Sequence, residues 1–590
     1  MKRSIILSYL FVLFCFCSNA EAIDVFINPS CEYNGDGTAQ TCSTSEGGVG
    51  AYNTAPTNWV ITTDNTHVYW KRGTIDDWSS KHNITHQRII ADGDGLIFGA
   101  YGSGSDPIII NYYDYQSSPP TCTLHDTNVW FCVTDSSYAS NPPFILGLGA
   151  DWTPGKQRQY HNGGAHQALD EWGEWDYQSL SGENPNGFYI YSPSSINPFT
   201  YYGEIHFQTA QNTTIRLRNI TNAKIKNIRF YKSYVGIYVS SNTYPISKVH
   251  ISGCSFDQLF YGIKSAGTDT RPSSNLIIDS NVLSNILCVP IYFNGVFEDC
   301  KILRNYLFHN GYTRSVGGVY WSNHYSTKPD PGLEIMHNYC ADYHYGEYWP
   351  DGSCYYLDEG ASHSKVHHNI AENTARAYMD HSSENNTFYY NVGVHVGQGV
   401  RLSAKNTGSG DTVTVYNNSF VDCGNFPDFV PDSLDHTRQC VRASRNYDDI
   451  YIIKNNLLTA ANGAIGGLAV DSNVQDQVIS DSSNNLIYGF EHPGHSTTTS
   501  QEIDLSGHAS TDNPMLLGFH IAKTSPAVNA GVQISGIHDQ SSPARDIDLQ
   551  YVINNPDIGA DEFMARPVRG SSRINTIEPL STFSTIGIQE

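Results

Sequence analysis

Charge is scarce in this chain, and positive charge most of all. Asp, Glu, Lys and Arg make up 16% of the 590 residues, and 34 Lys and Arg against 58 Asp and Glu give a formal net charge of −24 at pH 7. A protein so poor in cations is not built to take nucleic acid or an anionic membrane as its main partner. There is no Cys-x-x-Cys pair and no finger-type spacing, which argues against structural zinc. After the first 22 residues no apolar run approaches the ~18 residues that a membrane span needs.

The N-terminus reads as a secretory signal. Lys2 and Arg3 precede a mostly apolar run from Ile5 to Cys17, and Ala20-Glu21-Ala22 fits small-residue cleavage. The expectation is a soluble protein secreted to an extracellular or periplasmic space. Eleven of the 13 cysteines lie outside this segment, and an oxidising compartment favours disulfides. Close spacings pair Cys31 with Cys42, Cys122 with Cys132, Cys340 with Cys354 and Cys423 with Cys440. Cys254, Cys288 and Cys300 remain, an odd number. The sequons at Asn83, Asn212, Asn219, Asn385 and Asn417 are modified only in a glycosylating host.

What is abundant is Tyr, 39 residues of it, together with a repeated phrase. An apolar residue is followed three positions later by Asn in Ile278-Asp-Ser-Asn281, Ile302-Leu-Arg-Asn305, Ile335-Met-His-Asn338, Val366-His-His-Asn369, Phe388-Tyr-Tyr-Asn391, Val415-Tyr-Asn-Asn418 and Ile453-Lys-Asn-Asn456. The Asn-to-Asn steps are 24, 33, 31, 22, 27 and 38 residues. Periods of about 20–50 residues mean stacked repeats, none of which buries its apolar face alone. Strand-length apolar runs separated by polar turns select a parallel β-helix over a helical solenoid.

Two stretches carry a more specific likeness. Val68-Tyr-Trp-Lys-Arg-Gly73 is followed by Phe98-Gly-Ala-Tyr-Gly-Ser-Gly-Ser-Asp-Pro-Ile-Ile-Ile110, and this pair resembles the first coils of secreted right-handed β-helix proteins of the pectate-lyase-like superfamily. Ser525-Pro-Ala-Val-Asn-Ala-Gly531 and Pro556-Asp-Ile-Gly-Ala-Asp-Glu-Phe563 resemble its closing coil. The resemblance implies an all-β, right-handed parallel β-helix with long loop insertions, and many such proteins act on polysaccharides. The polygalacturonase motifs Asn-Thr-Asp, Gly-His-Gly and Arg-Ile-Lys are missing. The reading divides the chain into a signal peptide (1–22), N-terminal coils (23–110), Trp-rich irregular coils and loops (111–215), a regular stack (216–500), closing coils (501–565) and a tail (566–590). Glu171 and Glu174 fall in the Trp-rich part, beside Trp130, Trp152, Trp172 and Trp175.

Aligning the second strand of each repeat on its central apolar residue yields the rows Tyr238-Val239-Ser240, Gly262-Ile263-Lys264, Tyr292-Phe293-Asn294, Tyr320-Trp321-Ser322, Tyr356-Leu357-Asp358, Tyr378-Met379-Asp380 and Arg401-Leu402-Ser403. Side chains alternate across a strand and neighbouring strands lie ~4.8 Å apart. This register puts Asp358 and Asp380 side by side on the surface, with Glu359 and His381 following them. Paired carboxylates supply the acid and the nucleophile or base of a glycoside hydrolase; they also suit a calcium ion, or mere strand-ending turns. Tyr292, Tyr320, Tyr356 and Tyr378 become sugar-stacking platforms. Arg401, Lys405, Arg442 and Arg445 form a cationic patch suited to an acidic glycan, or to ion pairs with nearby Asp. The loop from Tyr339 to Tyr355, with Asp342, His344, Glu347, Trp349 and Asp351, reads as a wall beside the pair. His367 and His368 read as structural.

Three functions fit. The first is a secreted polysaccharide-degrading glycoside hydrolase using Asp358 and Asp380. The second is a polysaccharide lyase or uronate epimerase, calcium-assisted, with Arg401, Lys405, His381 or Tyr378 as base. The third is a non-enzymatic glycan-binding or adhesin β-helix.

Overall fold

The computed structural model describes residues 22–560 except 57, 79–88, 115–119, 134–142, 149–152, 155, 158–173, 179–186, 194, 204, 210–212, 242–243, 269–270, 312–316, 324–331, 344–351, 382–384, 404–411, 425–438, 445–449, 462–463, 471–481, 497–504, 506–508, 518–519, 535–544 and 549–555. The signal segment, Glu171, Trp152, Trp172, Lys405, Arg445 and the middle of the Tyr339–Tyr355 loop therefore lie outside the described residues. The chain forms two compact units, Met1–Val282 and Leu283–Glu590.

In the first unit, parallel strands Ile23–Ile27, Thr66–Lys71, Leu96–Tyr101, Thr221–Lys226, Ile246–Ser252 and Ile277–Asp279 pair in that order. The register lines up Val68, Phe98, Ile225, Ile251 and Ile278, all fully buried. Residues Cys122 to Thr209 depart from coil pairing. Strands Cys122–Asp126, Val129–Val133, Gly187–Tyr191 and Glu174–Gln178 pair antiparallel. Their core holds Trp175, Phe188 and Ile190, and Glu174 is buried there.

The second unit is built of parallel ladders. One runs Cys300–Leu303, Leu333–Met336, Lys365–His367, Thr387–Tyr389, Thr412–Tyr416 and Ile450–Lys454. Another runs Val289–Asn294, Gly317–Ser322, Ser353–Asp358, the end of Ile370–His381, the end of Val392–Ser403, and Gln439–Ser444. These are the coils of a parallel β-helix, as the repeat implied.

The Asn phrase explains how the coils hold register. In Asn305, Asn338, Asn369, Asn391, Asn418 and Asn456, each side-chain Nδ2 donates to Oδ1 of the next Asn at 2.9–3.2 Å, the series ending on Asn485. Each backbone N–H donates to the same oxygen. The ladder satisfies buried corner groups that no strand can reach. The residue before each Asn takes a left-handed backbone, from φ 49° at Tyr390 to 56° at Asn455, which turns the chain through the corner at a steric cost.

All four expected disulfides are present. Cys254, Cys288 and Cys300 are buried and in no disulfide, and burial pushes the Cys254 thiol up to about 12. Four disulfides fit an extracellular protein. Among the described residues no helix is long and apolar enough to cross a membrane.

Candidate active site

In the second unit the register differs from the expected one at a single strand, Ile370–His381, and that changes the site. Tyr292, Tyr320 and Tyr356 line up as expected, as do Asn294, Ser322 and Asp358. The next strand is offset by one residue: Tyr355 pairs with Tyr378, Tyr356 with Met379, Leu357 with Asp380 and Asp358 with His381. A one-residue slip exchanges the faces of a strand. Asp380 therefore shares the inward column of Leu357 and Leu402; it is buried and accepts a hydrogen bond from Asn386 Nδ2 at 2.8 Å. The side-by-side aspartates expected from the sequence are not formed.

Tyr378 also faces inward instead of outward. It stacks on Tyr355 at 5.1 Å, and its hydroxyl donates to the carbonyls of Asn369 and Val392. Two adjacent tyrosines in Ser353-Cys-Tyr-Tyr-Leu-Asp358 make two alignments equally apolar. The inward one wins because Tyr355 and Tyr378 each reach corner carbonyls that need a donor. In the first unit Tyr238 lies opposite Lys264 and not Gly262, with the ammonium 5.6 Å from its ring centroid.

The outward cluster thus centres on Asp358 and His381. His381 Nδ1 lies 2.8 Å from Asp358 Oδ1. Tyr320 donates its hydroxyl to Oδ2 at 2.6 Å, and Tyr356 donates to Oδ1 at 3.1 Å. Burial opposes the Asp358 charge, but hydrogen bonds from His381 and Tyr320, the His381 charge and the Glu359 amide together hold its pKa below the usual value. Burial and the neighbouring carboxylate push the Tyr320 phenol well up, keeping it a donor. An ionised carboxylate only accepts, so Nδ1 of His381 carries the hydrogen. Nε2 remains for other work, on a side chain 27% exposed against 10% for Asp358.

Beyond His381 the outward columns continue. Met379 lies beside Arg401, and Arg401 beside Arg442, so two guanidinium groups follow the dyad on successive strands. No carboxylate among the described residues pairs with Arg401. Tyr292, partly exposed, stacks on Tyr320 at 5.3 Å.

Asp358, Glu359 and His381 can each bring one ligand atom within 4.8 Å of the others. Calcium takes six to eight oxygens, and a set that includes imidazole while both Asp358 oxygens are occupied by protein donors is a poor match for it.

No protein-family model matches the chain, and no curated protein matches it. Among solved structures it is similar to XylC in complex with xylose, at 10% identity and TM-score 0.46, over 92% of this chain and 98% of that one. A GH136 lacto-N-biosidase from Eubacterium ramulus aligns at 9% identity and TM-score 0.40, over 83% and 68%. Pectate lyase Pel9A aligns at 12% identity and TM-score 0.35, over 92% and 96%.

Proposed function

We propose that the protein is a secreted polysaccharide-active enzyme that removes a proton beside a sugar carboxylate, so cleaving or epimerising an acidic glycan. The observation that supports this most is the Asp358–His381 contact. Asp358 fixes the tautomer and orientation of the imidazole and stabilises its charged form, which readies Nε2 as a general base. Arg401 and Arg442 are placed to neutralise the uronate carboxylate, which makes the adjacent C–H more acidic. The proton passes to Nε2. In cleavage the C–H electron pair forms the C4=C5 double bond and the C4–O bond breaks, its oxygen taking a proton. In epimerisation a proton returns to the opposite face.

A second reading has its own support. Asp358 and Glu359 each bring a carboxylate oxygen to one cluster, within 4.8 Å of each other, and a close pair of carboxylates is what glycoside hydrolases use. Asp358 would then be the nucleophile and Glu359 the acid and base. Incubation with neutral, uronic and sulfated glycans, followed by product mass, separates the two. Unsaturated ends absorbing at short ultraviolet wavelengths, lost in His381→Gln, support elimination; addition of water supports hydrolysis; glycan binding with no turnover refutes both and leaves the adhesin reading.

A further inference from the structure

We infer that the C-terminal segments 527–534, 545–548 and 556–560 form a strap across one corner of the second unit, and that His368 is its acid-sensitive clip. Four residues that precede ladder asparagines, His368, Asn417, Asn455 and Asn484, point polar groups at this strap. Asn484 Nδ2 donates to the Ala530 carbonyl at 3.0 Å. Asn455 Nδ2 donates to the Val532 carbonyl at 2.8 Å, and its Oδ1 accepts from the Val532 amide at 2.9 Å. Asn417 Nδ2 donates to the Asp557 carbonyl at 2.9 Å. His368 Nε2 completes the series on the Arg545 carbonyl at 2.7 Å. In each Asn-Asn doublet the second residue thus builds the inner ladder and the first grips the strap. Under the strap, Ala527 and Ile558 pack on Leu457 and Leu486, and Ile547 and Ala560 on Val392.

The His368 clip differs from the amides because it titrates. A carbonyl only accepts, so Nε2 carries the hydrogen. Nδ1 lies 2.7 Å from Nδ1 of His367, and one hydrogen must lie between them. In neutral His368 that hydrogen belongs to His367. A second proton on His368 would set N–H against N–H and break the contact. Other titratable and charged groups gather around it: His337 at the preceding corner, Glu334 joined to both His367 and Lys301, Arg304 near His337, Tyr389 and Tyr390 on the following coil, and Arg545 and Asp546 on the strap. Burial, then the His367 charge, lowers His368 to about 3. Its folded pKa is depressed below 6.5, so the stability that the closed strap gains from neutral His368 is complete above pH 6.5 and is lost progressively as the pH falls towards 3. Protonation leaves Nε2–H on the Arg545 carbonyl, and the loss comes from burying the charge and from the opposed N–H groups at His367.

Hydrogen exchange followed by mass spectrometry on the full chain tests this, with rates corrected for the intrinsic effect of pH. Between pH 8 and 5 the opening of peptides covering 545–548 and 556–560 is expected to rise about thirty-fold, while peptides covering the Asn391 and Asn418 ladder stay protected. His368→Gln retains a donor for the Arg545 carbonyl and cannot titrate, so its strap should show no such rise; His368→Asn serves if the Gln variant does not fold. An equal acid opening in the variant, or none in the parent protein, overturns the inference. Either result leaves the chemistry of Asp358 and His381 unaffected, since exchange does not read turnover.

Discussion

Replacing Asp358 by Asn keeps the side-chain volume but removes a charge and an acceptor. The carboxylate now accepts from His381 at 2.8 Å, Tyr320 at 2.6 Å and Tyr356 at 3.1 Å. An amide has one oxygen, and its NH₂ must face one of these donors. To avoid a clash His381 changes tautomer, with Nδ1 accepting and Nε2 carrying the hydrogen, and Nε2 is then no base. A charge-assisted hydrogen bond contributes ~1.5–3 kcal/mol, so folding should weaken by about 2–3 kcal/mol. The wrong tautomer in a carboxylate–imidazole pair costs about 10⁴-fold in rate, or about 5.5 kcal/mol of transition-state stabilisation. The excess of the second loss over the first is what marks an orienting role. The assay is kcat/KM on the glycan found by screening, beside urea denaturation in the same buffer. The sign of the pH effect is also fixed. Asp358 is depressed below 3.8, so its contribution to stability is complete above that pH and is lost as acid drives the pH through the depressed value, and Asp358→Asn should lack that part of the acid dependence. A folded Asp358→Asn protein with activity within tenfold of the parent refutes the reasoning.

Four further outcomes are expected. Asp380→Asn keeps an acceptor for Asn386 and should leave product identity and the pH profile of kcat unchanged, with any loss confined to urea stability; a changed pH profile would restore the paired aspartates. Arg401→Ala should raise KM about tenfold, ~1.4 kcal/mol, for an acidic glycan and not for a neutral one, read from initial rates. Asn391→Leu strands the Asn369 backbone N–H and removes the side-chain donor of the Val366 carbonyl, while the Asn369 side-chain amide keeps the Ile335 and His367 carbonyls; a buried unsatisfied group costs ~1–3 kcal/mol, and denaturation should show a loss of about 2 kcal/mol or more. Treatment with a chelator should leave turnover unchanged, because protein donors occupy both Asp358 oxygens.

The repeat in the sequence determined the stacking, because an apolar residue followed by Asn at coil-length intervals has few other ways to bury its strands and satisfy its corners. Cysteine spacings of 10 to 17 residues likewise determined four local disulfides. Register was another matter. Tyr355 and Tyr356 offered two alignments with Tyr378, and no local pattern separates them; only corner carbonyls on other coils, waiting for a buried hydroxyl, selected the inward one. That choice moved Asp380 into the core and brought His381 to Asp358. The strap was beyond the reach of sequence for the same reason. Asn417 and Asn455 grip chain 77 to 140 residues further on, and partners that distant are set by tertiary packing alone.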